Sequence, residues 1–167
     1  MKHTFRNSVF AISVAGASAL AALAEPPAAG QAGVPYPDGY RQWQHVKSMV
    51  IESGHPLYES FGGIHHLYAN PLAVTGYAQG RFPDGSVIVF DLLEASAADH
   101  AIQEGSRKVL GVMYKDERRY ATTGGWGFEA FAAGDRQKPV VGATAATACF
   151  ACHTGQAPQD YVFSKMR

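Results

Sequence analysis

Two cysteines and a histidine near the carboxyl end of the sequence form the pattern Cys149-Phe150-Ala151-Cys152-His153. The C-x-x-C-H spacing is typical of c-type haem attachment, because two thiols on one short turn can reach the two vinyl groups of one porphyrin. The histidine that follows is then placed to ligate the iron. We predict one covalently attached haem c, bound through Cys149 and Cys152, with His153 as the axial iron ligand.

Two other interpretations of the motif are weaker. A thioredoxin-like dithiol pair would follow an early strand of a βαβ unit, whereas only 14 residues follow His153 in this sequence. A zinc site would need further cysteines or closely spaced histidines, and none follow His153. Because the sequence has only two cysteines, a scaffold held together by disulfides is also excluded.

The amino-terminal residues predict export. Basic residues precede an uncharged, alanine-rich stretch over residues 9–23, and a small-residue cleavage signal ends at Ala24. The apolar run is about 15 residues long, short of the roughly 20 that a spanning helix needs, which favours a cleaved signal over a membrane anchor. We predict a signal peptide at 1–24, a flexible leader at 25–34, one haem domain at 35–167 and a periplasmic location.

The composition narrows the class of protein further. Lys plus Arg and Asp plus Glu both number 14, so the formal net charge is zero and we expect no nucleic-acid partner. With 47 % hydrophobic residues the chain can bury a core. Its 18 glycines and nine prolines suit a turn-rich domain that contains a sheet better than a helical bundle.

Local patterns predict an α+β fold of strands interleaved with short helices. Asn70 as N-cap, Pro71 at the first helical position and Gly80 as stop predict a helix over residues 72–79. Strands are predicted at 64–69, 86–93, 107–114 and, with a bulge at its glycines, 125–132. Two segments are ambiguous: residues 43–51 fit a helix or a strand, and residues 97–102 fit a helix or a loop. We further predict a loop at 55–63, a solvated charged turn at 115–119 and a helix at 147–154.

The sixth iron ligand is left open by the sequence. Met166 is the only methionine after the haem motif, so a protein ligand on the far side of the iron would have to come from an earlier segment. His65, His66, Met49 and Met113 are available there. The alternative is a five-coordinate iron with an open face, which binds small gases or performs chemistry.

Several short motifs occur in order along residues 35–167. They are Tyr40-Arg41-x-Trp43, His65-x-x-Tyr68, Phe82-x-Asp84-Gly85, Lys115-Asp116, Arg119-Tyr120, GGWGFE at 124–129, the C-x-x-C-H motif and Asp160-Tyr161-Val162-Phe163. Together they resemble the cytochrome P460 family, which includes the cytochromes c-prime-beta. The resemblance implies a predominantly antiparallel β-sheet domain, usually dimeric, with one c-type haem against the sheet, a proximal histidine and an open or weakly occupied distal face.

The resemblance implies two functional branches. In the P460 branch, which oxidises hydroxylamine, a lysine just before the G-x-F-x-D-G turn bonds covalently to the haem. The corresponding residues 76–80 contain no lysine here, and Lys47 and Lys108 lie on other segments. The c-prime-beta branch has no such bond, has bulky apolar side chains around the distal pocket and is associated with nitric oxide. Phe61 is our candidate for such a cap, although ordinary anchoring of its loop explains it equally well.

The resemblance also bears on several polar residues. His65 matches a family position and is expected near the haem, or in a hydrogen bond within the sheet. Arg41 and Lys115 are candidates to pair with haem propionates, although a surface role is the better expectation for both. Glu129 would support acid–base chemistry if it reached the open haem face.

Three functions remain after these observations. We favour binding of a small ligand such as nitric oxide by a homodimer. The alternatives are an enzyme acting on hydroxylamine or a related nitrogen species, and an electron carrier that serves a redox partner protein.

Overall fold

The computed structural model describes residues 33–166, so the predicted signal peptide and most of the predicted leader lie outside the described residues. Within them the chain forms one five-stranded antiparallel sheet in which each strand pairs with the next along the chain. The fold is therefore α+β and predominantly antiparallel β, as predicted. The strands are β1 (Gln44–Ile51), β2 (Gly63–Ala69), β3 (Val87–Ala98), β4 (Ala101–Lys115) and β5 (Trp126–Ala132).

The helical segments of the described residues are short. Three are α-helical: α1 (Tyr58–Phe61), α2 (Pro71–Gln79) and α3 (Ala151–His153). A π-helical turn at Ala146–Phe150 leads into α3, and 3-10 turns lie at Tyr40–Gln42, Ala121–Thr123, Gly142–Thr144 and Thr154–Gln159. Among the residues described, none of the helices has the length and apolarity needed to cross a membrane.

One face of the sheet, which we call the N-terminal face, is covered by the residues that precede β1. Tyr36 packs edge-on against Phe131 of β5, with ring centroids 5.0 Å apart. Tyr40 packs in the same way against Tyr68 of β2, at 5.5 Å. The buried residues of this face are Val34, Tyr40, Val89, Leu110, Val112 and Phe131.

The opposite face, which we call the motif face, is covered by α2 and by the segment that carries the C-x-x-C-H motif. Trp126 and Phe128 of β5 lie on this side, whereas Phe131 points to the N-terminal face. Both sides of β5 are therefore buried, which explains why its aromatic residues fall out of phase. The buried residues of the motif face are Val46, Ala69, Ala73, Phe82, Ile88, Trp126, Phe128 and Val162.

The predicted capping of α2 is confirmed in detail. The Asn70 side-chain oxygen accepts a hydrogen bond from the Ala73 amide at 2.9 Å, and Gly80 ends the helix in the left-handed region at φ 73°. The same oxygen accepts from the Val87 amide at 3.0 Å, and the Asn70 amide group donates to the Gly85 carbonyl. Asn70 thus joins the start of α2 to the start of β3.

Some local predictions are corrected. Residues 97–102 form neither a helix nor a loop, because β3 and β4 continue to a two-residue turn at Asp99 and His100, both with positive φ. Pairing along the hairpin overrides the helical preference of the alanines. The ambiguous segment before residue 52 is strand β1, the loop at 55–63 contains α1, and β5 pairs with β4 without the predicted bulge.

Asp91 forms the main polar anchor between the sheet and the residues that cover its N-terminal face. Its side chain is fully buried and accepts hydrogen bonds from Tyr40 at 2.7 Å, from Arg107 at 2.5 and 3.2 Å, and from Arg41 at 3.3 Å. Burial alone would raise the pKa of Asp91, but the donors outweigh it and hold this pKa below its ordinary value. Burial and the bond to Asp91 raise the pKa of Tyr40 to about 12, so Tyr40 remains a donor.

We therefore predict that Asp91→Asn lowers the free energy of unfolding by roughly 2 to 3 kcal/mol at neutral pH, since it leaves Arg107 without its charged partner. Because the pKa of Asp91 is lowered on folding, this contribution is present above the unfolded-state pKa of about 3.9 and is lost as the pH falls through the folded-state value. The difference between variant and wild type should therefore shrink in acid. Denaturant unfolding of the haem-loaded protein at about pH 7 and pH 3 measures both effects.

The matched control is Arg81→Gln, which removes the exposed ion pair with Glu117 at 2.7 Å. Its effect should stay within about 0.5 kcal/mol. Equal losses from the two substitutions would contradict the assignment of Asp91 as an anchor.

Candidate functional site

The C-x-x-C-H segment lies on the motif face of the sheet. Cys149 and Phe150 pack against the buried cluster of this face, and Phe150 contacts Phe128 with ring centroids 6.2 Å apart. Cys149 is half-buried, Cys152 is exposed, and neither thiol forms a disulfide. Burial raises the pKa of Cys149, with Glu129 and Cys152 adding to the effect, so this thiol is protonated at neutral pH.

Glu129 of β5 fixes the start of this segment. Its carboxylate is buried and accepts hydrogen bonds from the amides of Val141 at 2.8 Å, Ala130 at 2.9 Å and Gly142 at 3.2 Å. Each of these donors belongs to the backbone. The hypothesis that Glu129 supplies acid–base chemistry at an open haem face therefore does not fit its position, because its oxygens are already used to hold the chain that leads into the motif.

His153 is held in one orientation by its neighbours. Its Nδ1 lies 2.7 Å from the carbonyl oxygen of Tyr161, and its ring lies between Phe128 and Phe163, at 5.0 and 4.9 Å between centroids. Because a carbonyl only accepts, Nδ1 carries the proton and Nε2 keeps its lone pair for a metal. Burial lowers the pKa of His153, partly opposed by the bond to Tyr161, so the neutral form that ligates iron is favoured.

An aromatic patch lies on the same face of the sheet. Phe90 of β3 contacts Phe61 and His65, with ring centroids 5.7 and 4.6 Å apart. Phe90 pairs with Leu67, which packs against the cluster of the motif face, so the side chains of the patch lie on that face. Phe61 is 40 % exposed, as is Met49, whose strand partner is His65. The chain itself therefore leaves part of this apolar face uncovered.

His65 lies in this patch, and the described residues show no hydrogen bond to its ring within the sheet, which was the alternative to a place near the haem. It is buried, and its Nδ1 has no hydrogen-bond partner. Burial first, and then the charges of Lys47 and His66, lower the pKa of His65 to about 4, so the ring is neutral at physiological pH. A buried polar atom without a partner costs about 1 to 3 kcal/mol, which fits a site that a bound group completes.

The other residues considered in the sequence take different places. His66 points to the N-terminal face, where its ring nitrogens lie 2.6 Å from Ser48 Oγ and 2.6 Å from a Glu104 oxygen, so it does not share a face with His153. Met113 packs against the cluster of the motif face, as does Met166. Arg41 is half-exposed and binds Asp91.

The expected surface role of Lys115 is wrong. Its side chain is only 2 % exposed and pairs with Asp160 at 2.8 Å.

Lys47, noted in the sequence as a lysine on another segment, is half-buried and pairs with Leu67 in the strand register, so it lies on the motif face. The sequence could not assign this face, because residues 43–51 fitted either a helix or a strand.

The described residues contain no cluster of three or more His, Cys, Asp or Glu side chains that could hold a metal ion by themselves. The features of the motif face instead fit a porphyrin. An oriented histidine with a free Nε2, two unbonded thiols beside it and a partly exposed apolar surface are the groups that a haem would occupy.

Comparison with known families agrees with this geometry. The sequence matches the family model for Cytochrome P460 over residues 37–164, which is most of the chain. No curated protein matches the chain. The matched residues include the whole sheet, the aromatic patch and the C-x-x-C-H segment, and the family implies a haem cofactor with its iron. The chain therefore belongs to the cytochrome P460 family of haem-binding cytochromes.

Proposed function

We propose that this protein is an exported mono-haem c-type cytochrome that binds a small ligand such as nitric oxide at an open distal face. The observation that carries the proposal is the partly exposed apolar patch of Met49, Phe61 and Phe90 on the face that also holds His153. An apolar pocket admits a neutral diatomic molecule and supplies no acid for further chemistry. When bound, the haem supplies an iron with one coordination position open to such a ligand.

In this proposal, different residues of the chain hold different parts of the haem. The thiols of Cys149 and Cys152 would hold the haem, each adding across one vinyl group with sulfur on one carbon and hydrogen on the other, which needs no oxidant. His153 offers Nε2 to the iron, and Tyr161 keeps the ring in the tautomer that allows this. Phe61 caps the ligand side, and neutral His65, whose Nδ1 has no partner, contacts the same Phe90 ring.

We predict that the purified exported protein has the mass of a chain starting at Glu25 plus one haem. The haem should stay on the polypeptide under denaturing conditions, and the Cys149→Ala/Cys152→Ala variant should lose it. His153→Ala should keep the covalent haem and change the absorption of the iron. Release of the haem from denatured wild-type protein into acidified acetone would show that the attachment is not covalent, and a mature chain retaining Met1 would refute cleavage and export.

We predict that the ferrous protein binds nitric oxide reversibly and has an ordinary c-type Soret band, without the red shift of the hydroxylamine-oxidising branch. The reason is that α2, which carries residues 76–79 of the segment expected to hold a cross-linking lysine, contains none. Absorption spectra of the reduced protein with and without nitric oxide measure ligation and haem type together. Turnover of hydroxylamine with an artificial electron acceptor, well above the rate of free haem, would contradict the proposal.

One observation favours hydroxylamine oxidation as the second candidate. Lys47 lies on the motif face, close enough to His65 to lower its pKa. A lysine held against a porphyrin edge could form the family's cross-link from this strand instead of from α2. Tryptic mapping separates the two functions, since a haem peptide joined to Lys47 as well as to both cysteines would establish the enzyme.

We predict that Phe61→Ala speeds association of nitric oxide by roughly tenfold, which corresponds to a barrier lower by about 1.4 kcal/mol. The substitution removes a ring from the ligand side, together with its edge-on contact to Phe90 of β3. Leu57→Ala is the matched control, because Leu57 is 49 % exposed and adjoins the same short helix. Flash photolysis of the ligand complex gives both rates, and equal rates in the two variants would remove Phe61 from the ligand path.

The family resemblance further supports a homodimer and a redox partner protein as proposals. Sedimentation equilibrium of the haem-loaded protein at micromolar concentration tests the dimer, and a monomer would refute it.

A further inference from the structure

A buried ion pair joins the end of β4 to the residues that follow the C-x-x-C-H motif. Lys115, the last residue of β4, is 2 % exposed, and its Nζ donates to Asp160 Oδ1 at 2.8 Å and to the Gly124 carbonyl at 3.1 Å. The ammonium also lies 5.2 Å from the ring centroid of Trp126, which is fully buried. Buried ion pairs add little net stability because both charges lose their hydration. The position of this pair therefore calls for another explanation.

Asp160 is fixed by three separate parts of the chain. Its Oδ1 accepts from Lys115, its Oδ2 accepts from the Phe82 amide at 2.8 Å, and its own carbonyl accepts from Trp126 Nε1 at 2.8 Å. These contacts hold an unusual backbone, since Asp160 and Tyr161 have φ of 50° and 64°. Successive non-glycine residues in the left-handed region persist only where their surroundings determine them.

Tyr161 connects this fixed stretch of backbone to His153, the proposed haem ligand. Its carbonyl oxygen lies 2.7 Å from His153 Nδ1. Its ring lies so close to Gly124 that a Cβ there would come within 2.3 Å of the ring. The Tyr161 ring is confined by the backbone of Gly124, and the residue before it is held by the contacts of Asp160. Together these contacts direct the Tyr161 carbonyl toward His153.

We propose that Lys115 and Asp160 are positioning residues for the iron, acting through the Tyr161 carbonyl to fix the tautomer and orientation of His153. The inference depends on the proposed role of His153 as axial ligand. A histidine that donates from Nδ1 to a fixed acceptor is a stronger donor through Nε2. A stronger donor stabilises ferric over ferrous iron and strengthens the iron–histidine bond.

The test compares haem-loaded wild-type protein with the Lys115→Met/Asp160→Asn variant, which removes both charges and keeps an oxygen for the Phe82 amide. We expect a lower iron–histidine stretching frequency in resonance Raman spectra, a higher midpoint potential, and roughly tenfold faster loss of the histidine when nitric oxide binds. Should the double variant yield no haem-loaded protein, Asp160→Asn alone is measured by the same three readouts.

The matched control is Asp91→Asn/Arg107→Met, which removes a buried ion pair from the N-terminal face. It should leave the iron–histidine frequency and the potential unchanged. An unchanged frequency in the Lys115 and Asp160 variants, or the same shift in the control, would overturn the proposal. Failure of the axial assignment itself is distinguishable, because His153→Ala would then leave the iron–histidine band intact.

Discussion

Burial of both faces of the sheet is the constraint on which the rest of the structure depends. Residues 33–43 and the Asp91 anchor cover the N-terminal face. On the motif face, α2 and the C-x-x-C-H segment cover one part, while Met49 and Phe61 remain 40 % exposed. Apolar surface of this kind is costly in water, and a haem bound on this face, as we propose, would cover it. We therefore expect the haem-free chain to be much less stable than the holoprotein.

The motif segment is tied to the sheet at both ends by buried charged groups. Glu129 binds the amides of Val141 and Gly142 before the motif, and Lys115 binds Asp160 after it. Between these anchors the backbone makes a π-helical turn, and at the second anchor Asp160 and Tyr161 both have left-handed backbone, a conformation that needs external support. Glu129, the sequence candidate for acid–base chemistry, and Lys115, a candidate partner of the haem propionates, thus hold the segment in place.

Sequence patterns predicted much of this fold, and the failures have physical causes. The capping residues of α2 and the β-branched run that begins β3 were sufficient to predict these two elements, because both signals are local in the sequence. The hairpin at Asp99 and His100 was missed because strand pairing decides it. Lys115 was misplaced because a lysine beside charged residues looks solvated until Asp160, 45 residues later, is brought against it. The C-x-x-C-H pattern is visible from spacing alone, and haem attachment through it stays a prediction, whereas the patch of Phe61, His65 and Phe90 needed the strand register.

The central claim is that the haem lies on the motif face with its iron on Nε2 of His153, and a crystal structure of the haem-loaded protein tests it most directly. The account predicts thioether bonds at Cys149 and Cys152, the contact from His153 Nδ1 to the Tyr161 carbonyl retained near 2.7 Å, and Met49 and Phe61 covered by the porphyrin or its ligand pocket. A haem on the N-terminal face, or an iron bound by another side chain in place of His153, would contradict it.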